Sequence, residues 1–449
     1  MSVAGGGVWR RLRAGVAGVV HLPGDGGYDQ ARRALYDSVD PWPVAVVEAG
    51  AAGDVRAAVE VAAGCGVPVV VQATGHGTHV PCDGAVLVRT GRLDEVVVDA
   101  AARVARVGPG ARWGQVVAAA AAHGLAPLCG SSPDVGVTGF TLGGGVGWLA
   151  RRYGFAADSV TGARVVTADG REVAVDAARH ADLFWALRGG GGSFGVVTSL
   201  TFRLYPVREV YAGAVYFAAE RAAEVLGCYR EWTRSAPDWL STAVLLRRMP
   251  DSAEVPAAVR GRGAVVLKAL SCGGAERAER VLRPLRAVGG PVLYDDVAPV
   301  PFGDAAMGGV RPAQVELAGD LPDGLIGVLA GAVEGAGSPV SAVEVRHWGG
   351  AMARPAADAG PVGHRGVPLS VTLDERVPHL VEGVAPYVTG GSFLNFLDDP
   401  SRVESAYTAA DWRALREVRR AWDPGGVFGG GLTVPPADPV TADPVAATA

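Results

Sequence analysis

Residues 71 to 77 read Val-Gln-Ala-Thr-Gly-His-Gly, a strand-like run opening into a histidine held between Gly75 and Gly77. An imidazole at such a turn can ligate a metal, anchor a cofactor covalently, or be an ordinary loop histidine. His76, His79 and Cys82 follow one another at i, i+3 and i+6, and their side chains suit zinc, but neither a fourth ligand nor an acidic partner lies nearby. Two glycine-dense stretches lie downstream, Gly143-Gly144-Gly145-Val146-Gly147 and Gly189-Gly190-Gly191-Gly192. Backbone free to take φ > 0 can turn consecutive N–H groups toward one point, as a pyrophosphate requires, although the same density also describes a flexible loop.

Two familiar chemistries are excluded by context. No buried strand leads directly into Gly143 and no acidic residue follows at the spacing of a dinucleotide fingerprint, so a nicotinamide site is not supported. Gly191-Gly192-Ser193-Phe194-Gly195 matches the G-x-S-x-G of serine hydrolases, but that motif needs a strand before it and a helix after it. Here a helix pattern (182–187) precedes and a strand pattern (196–200) follows.

The elements that must position these residues alternate over the first two hundred positions. Helices are expected at 28–39, 54–63, 113–123 and 182–187, and strands at 44–47, 67–71, 85–88, 164–167, 172–175 and 196–200. Asp169-Gly170 marks a tight hairpin between two of the strands. Beyond Pro206 longer helical segments (218–234, 275–285, 325–333, 377–387) separate strands near 241–247, 264–270, 340–347 and 369–373, an α+β pattern with helices on one side of a sheet. A last helix places Trp412, Leu415, Val418 and Trp422 on one face, and the tail from Pro435 reads as frayed.

The chain of 449 residues, 49% apolar, can bury a large core. Its net charge of −5 without like-charge blocks argues against nucleic acid as a partner. Five cysteines without close pairing argue against a disulfide framework and suggest a reducing, cytoplasmic setting; the weak apolar run 14–20 is too short for a membrane span. Lys268 is the only lysine, which reads as a compositional bias toward arginine.

In this order and spacing, Thr74-Gly75-His76-Gly77, the stretch from Ser132-Pro133-Asp134-Val135-Gly136 through Gly143–Gly147 to Tyr153–Asp158, the run Asp182–Thr198, and Trp422-Asp423-Pro424-Gly425-Gly426-Val427-Phe428 resemble the berberine-bridge-enzyme-like branch of the vanillyl-alcohol-oxidase superfamily. The resemblance spans nearly the whole chain. It implies a PCMH-type FAD-binding domain over 1–205, a substrate domain over 206–390 built on an antiparallel sheet covered by helices, and a segment 391–449 returning to the FAD domain. FAD would be bonded through its 8α carbon to His76. No second link is expected at Ser132, although Cys129 lies three residues upstream. Gly75, Gly77, Val135, Gly136, Gly143, Gly144, Gly145, Gly147, Gly195, Val196 and Asn395 would lie on the cofactor, with the pyrophosphate held by N–H groups around Gly143–Gly147.

The family's usual C-terminal tyrosine, two residues before an asparagine, corresponds here to Phe393 ahead of Asn395, so the proton acceptor must be sought elsewhere. Tyr153, His347 and Asn395 are the candidate catalytic residues, and Glu344, Arg346, His364 and Phe393 the candidate substrate contacts. Deprotonating an alcohol at neutral pH costs about 11 to 12 kcal/mol and an ammonium about 4 to 5, so loss of the tyrosine tilts the expectation toward an amine or an activated substrate. The expected reaction is oxidation of a small molecule, with O2 reoxidising the flavin to give H2O2. A dehydrogenase with another acceptor, or a flavoprotein that sequesters its ligand, are the alternatives.

Overall fold

The computed structural model describes residues 6–305, 307–333 and 340–438, and within them three sheets carry the fold. The first holds β1 (Val19–His21), β2 (Ala45–Glu48), β3 (Val69–Gln72) and β4 (Val86–Arg89) in the order β1-β2-β4-β3. Both β2 and β3 run parallel to β4. The valine-rich runs of β2 and β4 are buried almost throughout, as strands covered on both faces must be. The helix Ala52–Cys65 makes the crossover from β2 to β3 and ends where Gly66 turns left-handed at φ 65°.

The second sheet is antiparallel: β5 (Val96–Asp99), β6 (Val104–Val107), β7 (Val160–Val166), β8 (Glu172–Val175) and β9 (Val196–Arg203), in the order β5-β6-β9-β7-β8. The third comprises β10 (Glu209–Ala218), β11 (Leu240–Arg248), β12 (Gly263–Ser271), β13 (Tyr294–Asp295), β14 (Ala298–Pro301), β15 (Gln314–Ala318), β16 (Ala342–His347) and β17 (Leu369–Leu373). Its order is β13-β10-β12-β11-β16-β17-β15, with β14 also on β10.

Alternation gives the third sheet two different faces. Val244, Leu246, Val343, Val345 and Val371 pack under the helices Ala222–Thr233, Ala275–Gly289 and Asp323–Ala332. On the other face Ala243 and Leu270 meet Trp148 and Leu149, and Leu317 meets Val146 and Phe155. The helix-free side therefore rests on the polypeptide that follows the first glycine run.

Segments from the end of the chain complete the first half. Leu394, Leu397, Tyr407, Leu415 and Val434 join the core around the second sheet, and Val69 pairs with Phe428 beside β3. Asp423 is wholly buried, its carboxylate accepting from the N–H groups of Val427 and Phe428 and pairing with Arg419 at 2.9 Å.

Three expectations are corrected. The helix expected over 28–39 stops at Arg32, because the Arg32 side chain turns back to Asp29, Asp40 and the Pro41 carbonyl and folds the next residues under it. Strands β1, β5, β6, β10, β13, β14 and β15 were not expected; all but the ten-residue β10 are two to five residues long. Pro435–Asp438 is not frayed, since Ala437 N–H donates to the Arg416 carbonyl and Arg416 reaches both Pro436 and Asp438. The rest of that tail lies outside the described residues.

Candidate active site

His76 sits in the turn after β3. Its Nδ1 is 3.0 Å from Thr74 Oγ1, which orients the ring, and its carbonyl accepts from Tyr36 Oη at 3.2 Å, which holds the backbone of the turn. Burial lowers the imidazole pKa, with Asp134 acting the other way, so the ring is held neutral. Gly75 takes φ 88°, a conformation that suits glycine, and the N–H groups of Gly75, His76 and Gly77 have no acceptor among the described residues. A Cβ on Gly136 would lie 3.1 Å from Thr74 Oγ1, so the histidine turn and the Ser132–Gly136 turn lie against each other. Ser132 is exposed, its hydroxyl accepting from Asp134 N–H, and the Val135 carbonyl accepts from Trp113 N–H. Burial pushes the Cys129 thiol up to about 12, which disfavours the thiolate. The zinc trio does not converge: His79 stacks on Tyr36, and Cys82 is buried among Tyr28, Val46 and Leu87.

The first glycine run commits part of its backbone internally. Gly143 N–H donates to Gly139, Gly144 N–H to Thr141, and Gly145 N–H to Asn395 Oδ1 at 2.8 Å. Three of the run's five donors are thus consumed inside the protein, while the N–H groups of Val146 and Gly147, like those of the histidine turn, have no acceptor among the described residues. The glycines also serve close approach. A Cβ on Gly143 would meet Asn395 Nδ2 at 2.5 Å, and one on Gly147 would meet the Cys129 carbonyl at 1.9 Å. Asn395 Nδ2 also donates to the Phe140 carbonyl at 3.0 Å, which makes Asn395 a brace across the run. The second run is likewise a packing node: Tyr407 Oη donates to the Gly189 carbonyl, and the buried Ser193 hydroxyl accepts from Val434 N–H. A Cβ on Gly195 would lie 2.4 Å from Val165 Cγ1, so Gly195 lets β9 pair closely with β7; Val196 starts that strand and is buried.

The remaining candidates divide by face. His347 is corrected outright: it alternates with Val343 and Val345, so it points toward the helices, near Trp232. Its Nε2 lies 3.0 Å from Arg151 Nη1, and burial with that cation lowers its pKa to about 3. Arg151 is itself a joint between the two halves, donating to the carbonyls of Leu240, Ala236, Pro237 and Trp348. His364 also has another task, since Nε2 donates to the Ser405 carbonyl at 2.7 Å and ties its loop to the C-terminal segment. Phe393 is buried against Phe155, Trp348 and Phe396, a wall of rings over Gly144. Tyr153 lies on Tyr205 with centroids 4.2 Å apart, at the flank of the joint.

Glu344 and Arg346 occupy the helix-free face. Arg346 lies over the Trp148 ring at 4.6 Å, directly after the glycine run. Its Nε is 3.0 Å from Glu344 Oε1, while Glu344 Oε2 is buried with no hydrogen-bond partner. One residue on this face was missed by sequence reasoning. Lys268, set aside as compositional, is on β12 in register with Ala243, which is in register with Arg346. The signal was a lone lysine inside the apolar run Ala264–Leu270.

Comparison with known proteins places these features. Residues 43–195 match the FAD binding domain family. The (R)-6-hydroxynicotine oxidase of Paenarthrobacter nicotinovorans is 34% identical over 206 residues, which are 45% of this chain and 45% of that enzyme, so the match spans under half its length. An uncharacterized FAD-linked oxidoreductase of Bacillus subtilis, YgaK, is 25% identical over 92% of this chain and 95% of its own. The solved structure of a glucooligosaccharide oxidase from Acremonium strictum, with an FAD described as 6-S-cysteinyl, 8α-N1-histidyl, superposes with TM-score 0.81 at 22% identity over 96% and 99% of the two chains. Residues 43–195 are thus an FAD-binding domain, and the chain as a whole is similar to FAD-linked oxidoreductases and shares the fold of oxidase structures of that kind.

Proposed function

We propose that this enzyme carries its FAD on His76 and oxidises a small amine or alcohol, with O2 as the terminal acceptor and H2O2 as product. The residues fit the cofactor. Three uncommitted N–H groups at Gly75–Gly77 suit an anionic diphosphate, and the buried hydroxyls of Thr90 and Thr138 lack partners that a bound nucleotide would supply. A neutral, oriented imidazole in the same turn is the observation that carries the reading, because only an unprotonated ring nitrogen can form a bond to carbon. Bond formation would cost the imidazole N–H and one C–H, the two electrons and two protons passing to O2.

When bound, FAD accepts the hydride that leaves the substrate carbon. The chain's own residues then supply position and a proton acceptor. Phe393, Phe155 and Trp348 form an apolar wall that excludes water beside Gly144. Glu344 Oε2 is the natural acceptor of the N–H or O–H proton, being a buried carboxylate oxygen with an unused lone pair on the face that meets the glycine run. Arg346, anchored on Trp148 and beside Glu344 Oε1, orients that carboxylate. With Phe393 in place of a tyrosine, Glu344 supports turnover over mere sequestration of a ligand.

The test is acid precipitation of the wild-type protein and a His76→Ala variant, followed by spectra of the washed pellets. Yellow retained by wild type and lost from the variant is the expected result; flavin released from wild type refutes the tether. Anaerobic bleaching in a panel of amines and alcohols, then reoxidation in air, separates oxidase from dehydrogenase and from a sequestering protein.

A further inference from the structure

We propose that the cavity walled by Lys268 and Arg247 on the helix-free face of the third sheet is a subsite for an anionic group, so that the substrate is a small carboxylate carrying its oxidisable amine or alcohol at the other end. This rests on the reading of Glu344 given above and extends it along the same face. The cavity, about 190 Å³, lies between β10, β11, β12 and the turn at Met307 and Gly308. Space of this size holds a few water molecules or one small organic group.

Its walls carry more cationic than anionic capacity. The Lys268 ammonium is 9% exposed and donates to one neutral acceptor, the Met307 carbonyl at 2.8 Å, which leaves two N–H bonds unassigned. The guanidinium of Arg247, half-buried on the neighbouring strand, makes no hydrogen bond or ion pair with any described residue. The carboxylate present, Asp296, already accepts the Ala214 N–H at 2.6 Å. A buried cation with so little compensation is costly unless an anion joins it. Burial pushes the Lys268 pKa down, opposed by Glu344, and an incoming anion would act in the same direction as Glu344, favouring the charged form.

The cavity also lies in the right direction. Lys268 and Arg346 are two strands apart at the same level of the sheet, roughly 10 Å between backbones, with Glu344 one side-chain repeat further along its strand. The turn that supplies Met307 runs on to Gly309, which faces Ser131, and to Arg311, which lies over the Tyr36 ring that holds the His76 carbonyl. One loop thus borders both the cavity and the cofactor turn.

The probe is benzoate, with benzamide as its neutral counterpart, titrated calorimetrically into the flavin-loaded protein at pH 7. Benzoate is expected to bind more tightly than benzamide, and its Kd to rise about tenfold or more in Lys268→Met and in Arg247→Met. Equal binding of the two probes, no binding of benzoate, or undiminished benzoate binding in both variants overturns the proposal. The wild-type comparison needs no variant to fold, and Arg247→Met stands in if Lys268→Met does not. None of these readings depends on turnover or on the covalent link, so the subsite can fail while the flavin chemistry stands, and the reverse.

Discussion

The contact between Gly143 and Asn395 gives a prediction that separates a brace from a catalytic group. Asn395→Ala removes two hydrogen bonds and leaves the Gly145 N–H and the Phe140 carbonyl without their partner, at 2.8 and 3.0 Å in the native protein. At about 1 to 2 kcal/mol for each group left without a partner, the loss is about 2 to 4 kcal/mol. Gly143→Ala attacks the same contact from the other side. Its φ of −81° is open to alanine, but the three atoms nearest the new methyl all belong to Asn395, from 2.5 to 3.0 Å. The side chain must move, and the same two hydrogen bonds go with it. Once Asn395 is already alanine the methyl has room, and the added cost falls below about 1 kcal/mol, offset further by the reduced freedom of the unfolded chain. The double variant is therefore expected to be about 2 to 3 kcal/mol more stable than the sum of the single losses predicts. Denaturant titration of the four proteins, loaded with flavin to equal extent, measures this. Strictly additive losses refute the argument. So does an Asn395→Ala protein of unchanged stability that has lost turnover, because that would return Asn395 to the chemistry.

Glu344→Gln keeps the shape of the side chain and removes its basicity; kcat is expected to fall about 10²- to 10⁴-fold with flavin content unchanged, read as the rate of anaerobic bleaching by the best substrate of the panel. An undiminished rate would put the proton acceptor elsewhere. His347 should appear in stability and not in turnover. Its pKa falls from the ordinary 6.5 to about 3, so between those values the unfolded chain binds a proton that the native protein refuses. Stability is thus expected to drop as pH falls through that window, by at most about 5 kcal/mol, and His347→Gln should flatten the slope; equal slopes in the two proteins would contradict it.

What could be read from sequence was local. The strand, helix and turn chemistry around 44–72 and 160–203 follows from periodicity and from glycines that end helices, and it placed most elements within a few residues. Alternation along β16 correctly put Glu344 and Arg346 together, but a period of two cannot say which face meets the cofactor, and His347 went to the wrong side for that reason. The glycine run misled more subtly. Its backbone does take positive φ at Gly144 and Gly145, yet three of its five N–H groups are taken by Gly139, Thr141 and an asparagine 250 residues away, and no local rule reveals such a competitor. Lys268 failed for the opposite reason: a single lysine in an apolar strand carries little statistical weight, while its burial beside a cavity that Arg247 also lines becomes evident only when β11 and β12 pair.

The bridge between Val69 and Phe428 bears on how the protein is made. With the order β1-β2-β4-β3, β3 is an edge strand, and Phe428 is what lies against it. Ser193 likewise waits for Val434, 241 residues later in the chain. At ordinary translation speeds that is an interval of tens of seconds, during which the nascent first half presents an uncovered valine-rich edge, a template for pairing with other chains. Productive folding of the turn that carries His76 is consequently a late event, and a ribosome-bound chain holding every glycine motif up to residue 195 would still lack the strand neighbour and the core residues that secure it.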